Sequence, residues 1–270
     1  MSETDDYIQA LIVSNPFHEP LVEAAIDELQ LPSGSRGLDA GCGIGLQVPL
    51  FVEAIVPGGH VTGLDLSPQF LTHAREFVQR VGIAERTSFK EGSVNKLPFD
   101  SDAFDWSWSA DCVGYAPFDP LPPLKEMARV VKPGGTVAIL VWSSQQLLPG
   151  YPLLEARLNA TPAGIAPFTA GMAPERHFMR APGFMRRAGL GDIRGRTFVS
   201  EAQAPLSEEM RQALKALIDM RWPGAEAELS ADDRAQFQRL CRPQSPDFIL
   251  NLPDYYAFFT ETLFYGRVDK

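Results

Sequence analysis

Cysteine and histidine are scarce. The three cysteines (Cys42, Cys112, Cys241) are far apart with no CxxC spacing, and the four histidines (His18, His60, His73, His177) are isolated from one another. That scarcity speaks against a disulfide framework and a cysteine-rich zinc site, and no metal centre is expected. Long apolar runs are lacking too. The longest, VAILVW at Val137–Trp142, falls well short of the roughly 20 residues a membrane-spanning helix needs. The chain opens MSETDDYIQA, with no basic stretch leading into an apolar one, so no secretory signal is expected and the cytoplasm is the default location. Positive charge is in deficit: 24 Lys and Arg against 34 Asp and Glu leave a formal charge of −10. Such a field repels polyanions, and a nucleic-acid partner is not expected.

What remains is the mix of an ordinary globular protein, 45% hydrophobic and 21% charged over 270 residues, enough for one large domain or a domain with an appendage. Residues 1–35 read as an N-terminal helical segment, with Leu21, Val22, Ala25, Ile26 and Leu29 at helical spacing after Pro20. From Arg36 to Trp142, short apolar runs alternate with longer segments of helical period, the signature of βαβ units and a parallel sheet. Strands are predicted at 37–40, 60–65, 87–90, 104–110 and 136–142, and helices at about 46–56, 68–81 and 121–131. Ser67 and Pro68 supply a cap and a first-turn proline for the second of these helices. Residues 143–183, dense in Pro and Gly, read as a lid insertion with short helices. Within 184–270, strands at 192–199 and in the aromatic tail Tyr255–Val268 flank a helical insertion at about 200–255, which includes a helix at 206–221.

The most specific feature is GLDAGCGIG, Gly37–Gly45, set between a predicted strand and a predicted helix. Glycines there allow a tight turn and the close approach of a ligand, and Asp65, twenty residues on, ends the next strand where a carboxylate accepts ribose hydroxyls. The pattern predicts a nucleoside-containing cofactor. A dinucleotide fingerprint requires glycine at position 46, where the chain has Leu46; this disfavours an NAD(P)-dependent oxidoreductase, which stays as an alternative.

Asp39-Ala40-Gly41-Cys42-Gly43-Ile44-Gly45 resembles motif I of the class I S-adenosylmethionine-dependent methyltransferases. LDLSPQFL (64–71), EGSVNKLPFDSDAFDWSWSADCV (91–113) and LKEMARVVKPGGTVAILVW (124–142) resemble further family segments, in the family's order. The likeness is greatest to the small-molecule, quinone-biosynthesis type. It implies an α/β fold, a Rossmann-like seven-stranded mostly parallel sheet with an antiparallel C-terminal hairpin, bearing a helical cap or lid. It implies S-adenosylmethionine as cofactor, with S-adenosylhomocysteine as product, and methyl transfer to oxygen, nitrogen or carbon of a small molecule; that this molecule is hydrophobic is expected from the aromatic residues of the cap, since the substrate does not transfer with the likeness.

Carried over by residue, the resemblance puts Gly41 and Gly43, with Asp39 behind them, around the methionine moiety, and gives Asp65 the ribose hydroxyls. Leu66 and Phe70 then lie beside the adenine. Ser93 stands where the family usually has an acid for the adenine amino group, so the contact falls to its hydroxyl or to the Val94 backbone. Ala110 approaches the sulfonium. Asp111 and Tyr115, at the carboxyl end of the fourth strand, are the first candidates for substrate contact, and His18 and His177 are candidate general bases. Each has a plainer reading, as a turn former or a structural side chain. Six arginines between Arg176 and Arg196 suggest a solvated face or recognition of an anionic group; Trp142, Phe168, Phe178, Trp222 and the tail aromatics suggest an apolar enclosure, with a core or homodimer contact as the plainer reading of the tail. A non-catalytic protein that binds the cofactor or its product is the remaining alternative.

Overall fold

The computed structural model describes residues 3–115, 119–161 and 173–269; Phe168 and the rest of residues 162–172 of the predicted lid lie outside them. In chain order the main elements are α1 (Glu3–Glu28), β1 (Arg36–Ala40), α2 (Val48–Ala54), β2 (His60–Asp65), α3 (Pro68–Arg80), β3 (Thr87–Glu91), β4 (Phe104–Ala110), α4 (Leu121–Val130), β5 (Val131–Gln146), α5 (Pro152–Asn159), α6 (Ala181–Arg187), β6 (Leu190–Gln203), α7 (Glu208–Arg221), α8 (Ala231–Cys241) and β7 (Tyr256–Val268).

The strands form one seven-stranded sheet in the order β3-β2-β1-β4-β5-β7-β6. β1 pairs in parallel with both β2 and β4, β2 with β3, and β4 with β5. The strand order therefore reverses between β1 and β4, and the crevice beyond their carboxyl ends is where open α/β sheets bind ligands. β7 runs antiparallel to β5, because Arg267 reaches Thr136 and Thr260 reaches Ser143. The sheet is thus of the expected kind.

The chain divides into two compact units. The sheet unit contains the described residues of Val22–Trp142, Ala173–Phe198 and Glu261–Lys270; the second unit contains those of Met1–Leu21, Ser143–Met172 and Val199–Thr260. In the sheet unit, aromatic packing fixes β1 against β4. Trp106 and Trp108 are buried; Phe51 of α2 stacks on Trp106 at 4.8 Å between ring centroids and meets Trp108 edge-on at 5.3 Å. Each indole N–H is satisfied, Trp106 by Ser35 Oγ at 2.9 Å and Trp108 by Gln47 Oε1 at 2.8 Å. Burying side chains of this size is worth about 2–3 kcal/mol each. A side chain at Gly37 would place its Cβ 1.9 Å from the Trp106 ring, so this glycine admits the indole.

The second unit gathers α5, α7 and α8. Leu154, Leu158, Leu214, Leu217, Trp222, Phe237 and Leu240 are buried there, and Ser207 and Ser230 cap α7 and α8 by accepting from Met210 N and Asp233 N. Its interior also holds polar groups. The Glu155 carboxylate accepts from the backbone N–H groups of Leu147 (2.8 Å) and Leu148 (3.0 Å) and from Gln146 Nε2 (2.5 Å). Buried Arg221 donates Nε to Gln145 Oε1 at 2.7 Å, and the Tyr255 hydroxyl donates to the Leu147 carbonyl at 3.1 Å.

Three details differ from the sequence expectation. α1 does not begin after Pro20 but at Glu3, with Pro16 and Pro20 inside it. Proline removes a helical N–H, but Ile8 and Phe17 are fully buried, and that burial holds the helix through both positions. β5 begins at Val131, before the KPGG turn, because Val131 pairs with Phe104 and the ladder resumes at Trp106–Thr136 after a bulge. The first helix after the glycine turn is shorter than predicted, Val48–Ala54, since the turn extends to Gln47.

Candidate active site

The glycine turn leaves β1 at the switch point and is tied to the end of β2. The N–H groups of Gly41 and Cys42 both donate to the Leu64 carbonyl, at 2.7 and 2.9 Å. Gly43 N donates to Asp65 Oδ2 and Ser67 N to Asp65 Oδ1, each at 2.9 Å, so one carboxylate orients the turn and the start of α3. Gly41 and Gly43 have φ of +86° and +52°, in the left-handed region. Their surroundings differ. A Cβ on Gly41 would lie 2.6 Å from Cys112 Sγ, whereas one on Gly43 would meet nothing within 4 Å. Gly41 is needed for packing, and Gly43 opens onto vacant space at the mouth of the crevice. Leu66, the residue after Asp65, is 70% exposed, an apolar side chain offered beside that space.

The crevice is acidic. Asp39 is buried, and loss of solvation together with the nearby Asp65 raises its carboxyl to about 7. Burial, reinforced by Asp65, raises the Cys112 thiol to about 11, and Cys42 is raised as well, so neither is a thiolate nucleophile at neutral pH. Asp111 follows β4 with φ +45°; its N–H continues the ladder to the Leu140 carbonyl at 2.9 Å, and its Oδ1 accepts the Trp142 N–H at 2.9 Å. Asp tolerates this left-handed conformation, which aims an exposed carboxylate at the end of β4. Ala110 pairs with Leu140 just before it.

The other candidates are placed as follows. Phe70 N donates to the Ser67 cap at 3.3 Å, which sets Phe70 on the first turn of α3. Ser93 Oγ accepts from Asn95 N at 3.2 Å, forming a small turn that contains Val94; a further contact there would share that oxygen. Tyr115 N donates to the Cys112 carbonyl, and the residues immediately after it are not described. His177 stacks on Phe178 at 4.6 Å and caps a short turn, its Nδ1 accepting from Met179 N at 3.2 Å. His18 belongs to the second unit, half-buried and edge-on to Phe259 at 4.8 Å; loss of solvation lowers its pKa to about 4, so the ring is neutral at physiological pH.

The six arginines do not form a cluster. All are exposed; Arg196 pairs with Glu28 and lies over Phe198, Arg187 lies over Phe184, and Arg176 stands 3.8 Å from Asp119. This is the solvated-face reading. Trp222 and Tyr255 are buried in the core of the second unit. Sequence reasoning passed over Glu261, a fully buried acid on β7 beside Trp142 of β5. Burial and the charge of Asp111 push its carboxyl far above the usual range. The signal was available: a lone glutamate between two threonines inside FFTETLFY has no apolar reason to be there.

The residues present fit S-adenosylmethionine. Gly43, in the left-handed region, opens onto unfilled space beside Asp65, Leu66 offers an apolar face, and the carboxylates suit a ligand carrying a sulfonium and an ammonium group. The chain matches the family described as "Methyltransferase domain" over residues 38–139. It is 30% identical over 200 residues to methyltransferase GfsG of Streptomyces halstedii, covering 74% of this chain and 68% of that protein. It is 32% identical over 140 residues to a demethylmenaquinone methyltransferase of Bacillus cytotoxicus, covering 52% of this chain and 58% of that one. In fold it is similar to Haemonchus contortus phosphoethanolamine N-methyltransferase 2 in complex with S-adenosyl-L-methionine, with a TM-score of 0.57, 17% identity, and coverage of 96% and 57% of the two chains. A glycine turn held by the acid of the next strand, in a seven-stranded sheet of this order and with these relatives, places the chain among the class I S-adenosylmethionine-dependent methyltransferases.

Proposed function

We propose that this chain transfers the methyl group of S-adenosylmethionine to oxygen, nitrogen or carbon of a small, mainly hydrophobic molecule. The observation that carries this reading is the open cradle at Gly43, tied to Asp65 and facing the same crevice end as the exposed Asp111 carboxylate. Bound there, the cofactor supplies an activated methyl group. The rest of the work is placement, because in-line positioning of the acceptor, about 3 Å from the methyl carbon, contributes more than covalent catalysis.

In this reading Asp39, Gly41 and Gly43 surround the methionine moiety, with Ala110 close to the sulfur. Asp65 accepts from the ribose hydroxyls while holding the turn; Leu66 and Phe70 flank the adenine, and Ser93 and Val94 meet its edge. Asp111 takes a proton where the acceptor must lose one, and Tyr115 contacts the acceptor. His177, with Nδ1 engaged, would act through Nε2, and the neutral His18 is a weaker candidate for a base. The relative named as a demethylmenaquinone methyltransferase supports a small-molecule acceptor of the quinol or phenol kind. The net charge of −10 argues against nucleic acid, and the cytoplasm is the location we favour.

Calorimetric titration with S-adenosylmethionine, S-adenosylhomocysteine and NADH tests the cofactor, and a panel of quinols, phenols and amines tested for methyl uptake tests the acceptor. Micromolar binding of the two adenosyl compounds without NADH is expected. Binding of both without methyl uptake by any acceptor would favour a protein that holds the cofactor without catalysis, and binding of NADH alone would favour an oxidoreductase.

A further inference from the structure

Glu261 has no part in that scheme, yet it is 4% exposed and lies on the strand next to β5. Its register follows from contacts on either side. Arg267 reaches Thr136 Oγ1 at 2.7 Å, and Ser143 Oγ meets Thr260 Oγ1 at 3.0 Å. Counting inward from either contact along the antiparallel strands brings Glu261 opposite Trp142. Trp142 is also the residue whose N–H holds Asp111 Oδ1. Asp111 thus holds the Trp142 N–H from the β4 side while Glu261 stands opposite Trp142 on β7, near enough to feel the Asp111 charge.

Resting on the methyltransfer reading, we infer that Glu261 is a positioning residue for Asp111: it keeps its proton, so the two acids present one negative charge, and Asp111 is left as the proton acceptor for a methyl acceptor that carries its proton on oxygen or nitrogen. Two carboxyl groups in one low-dielectric place do not both ionise, and the more buried one retains the proton. The asymmetry is built in. Asp111 is exposed and is held by a backbone N–H, which favours its charged form, whereas Glu261 is enclosed. The direction in which burial and Asp111 move Glu261 agrees. The titratable groups around the pair are also acidic: Cys112 on the same loop feels Asp65 of β2, Asp39 of β1 and Asp111. In the step itself, the acceptor's electron pair forms the bond to the methyl carbon and the pair of the broken carbon–sulfur bond stays on sulfur. The acceptor's proton passes to Asp111 and from there to water. A tertiary amine or thioether acceptor, having no proton to lose, would make the pair idle.

The test is carbon-13 NMR titration of the full chain, labelled at the carboxyl groups of Glu or of Asp, in the parent, Glu261→Gln and Asp111→Asn. Asparagine keeps both the left-handed conformation and the oxygen that accepts from Trp142. One glutamate signal, missing in Glu261→Gln, should remain protonated at pH 7 in the parent and titrate at least about one pH unit lower in Asp111→Asn. The Asp111 titration should in turn move in Glu261→Gln. A glutamate buried for structural reasons alone would ignore Asp111→Asn. Ionised Glu261 at pH 7 in the parent, or indifference of either acid to loss of the other, overturns the inference. If Glu261→Gln does not fold, the Asp111→Asn arm still decides. Titration of each protein with S-adenosylhomocysteine keeps the readings apart: no binding to the parent sinks the cofactor assignment, while the carboxyl signals still report on the pair.

Discussion

Both units bury a carboxylate, and they treat it differently. In the second unit Glu155 is surrounded by donors: two consecutive backbone N–H groups and the amide of Gln146. In the sheet unit Asp39 and Glu261 are buried beside other acids, and both are raised by burial and by a like charge, Asp65 for one and Asp111 for the other. Hydrogen bonds that saturate a carboxylate fix a fold. Acids left beside acids cost stability and are kept where charge must be received or moved, which is why perturbed titration tends to mark functional sites.

The sharpest way to break this contrast is Glu155→Ala. It strands the Leu147 and Leu148 N–H groups in the interior and should lower unfolding free energy by about 3–5 kcal/mol in urea titration, leaving S-adenosylhomocysteine affinity within about threefold. If affinity falls in step with stability, the division of labour is wrong. Next is Asp39→Asn. The folded carboxyl titrates near 7 against an ordinary value of 3.8, so between these pH values the folded state holds a proton that the unfolded chain has released. The contribution of Asp39 to stability therefore falls as pH rises from about 4 to 7, by up to about 4 kcal/mol, and levels off above that. Unfolding midpoints at pH 5 and 7.5 should differ less in Asp39→Asn than in the parent.

Asp65→Ala removes the acceptor that holds Gly43 and Ser67. Affinity for S-adenosylhomocysteine should drop at least about 100-fold, or roughly 2.7 kcal/mol; unchanged calorimetric binding would place the cofactor elsewhere. Gly43→Ala sharpens the point, since its Cβ has room in the protein. It should weaken the same ligand about tenfold, or roughly 1.4 kcal/mol, while the melting temperature falls by only a few degrees. Smallest is Lys215→Ala, which removes an exposed pair with Asp219 on α7, 2.7 Å apart and 40% and 47% exposed. Its effect on stability should stay near 0.5 kcal/mol or below.

The sheet unit was largely readable because its signals are local. β2 and β4 fall where alternation and apolar runs put them, Ser67 caps α3 as its spacing predicts, and the glycines and Asp65 meet because a βαβ unit brings strand ends together. What was not readable depends on partners distant in sequence. Nothing near Pro16 and Pro20 announces that a helix will run through them; Ile8 and Phe17 are buried there by residues far along the chain. Glu261 feels the charge of Asp111 across 150 positions, and His18, neutral through lost solvation, packs against the still more remote Phe259. Periodicity reports which face of an element is apolar, but not which polar side chain will share that face.

The course of the chain has a consequence for how such a protein can be altered. The chain crosses between the units five times: inside α1, β5, β6 and β7, between residues 21 and 22, 142 and 143, 198 and 199, and 260 and 261, and once more between 172 and 173. Neither unit is a contiguous stretch, so no single cut releases one from the other and no single crossover could exchange the second unit for another as a cassette. Change in either unit has to come by substitution or by insertion into its own loops, residue by residue.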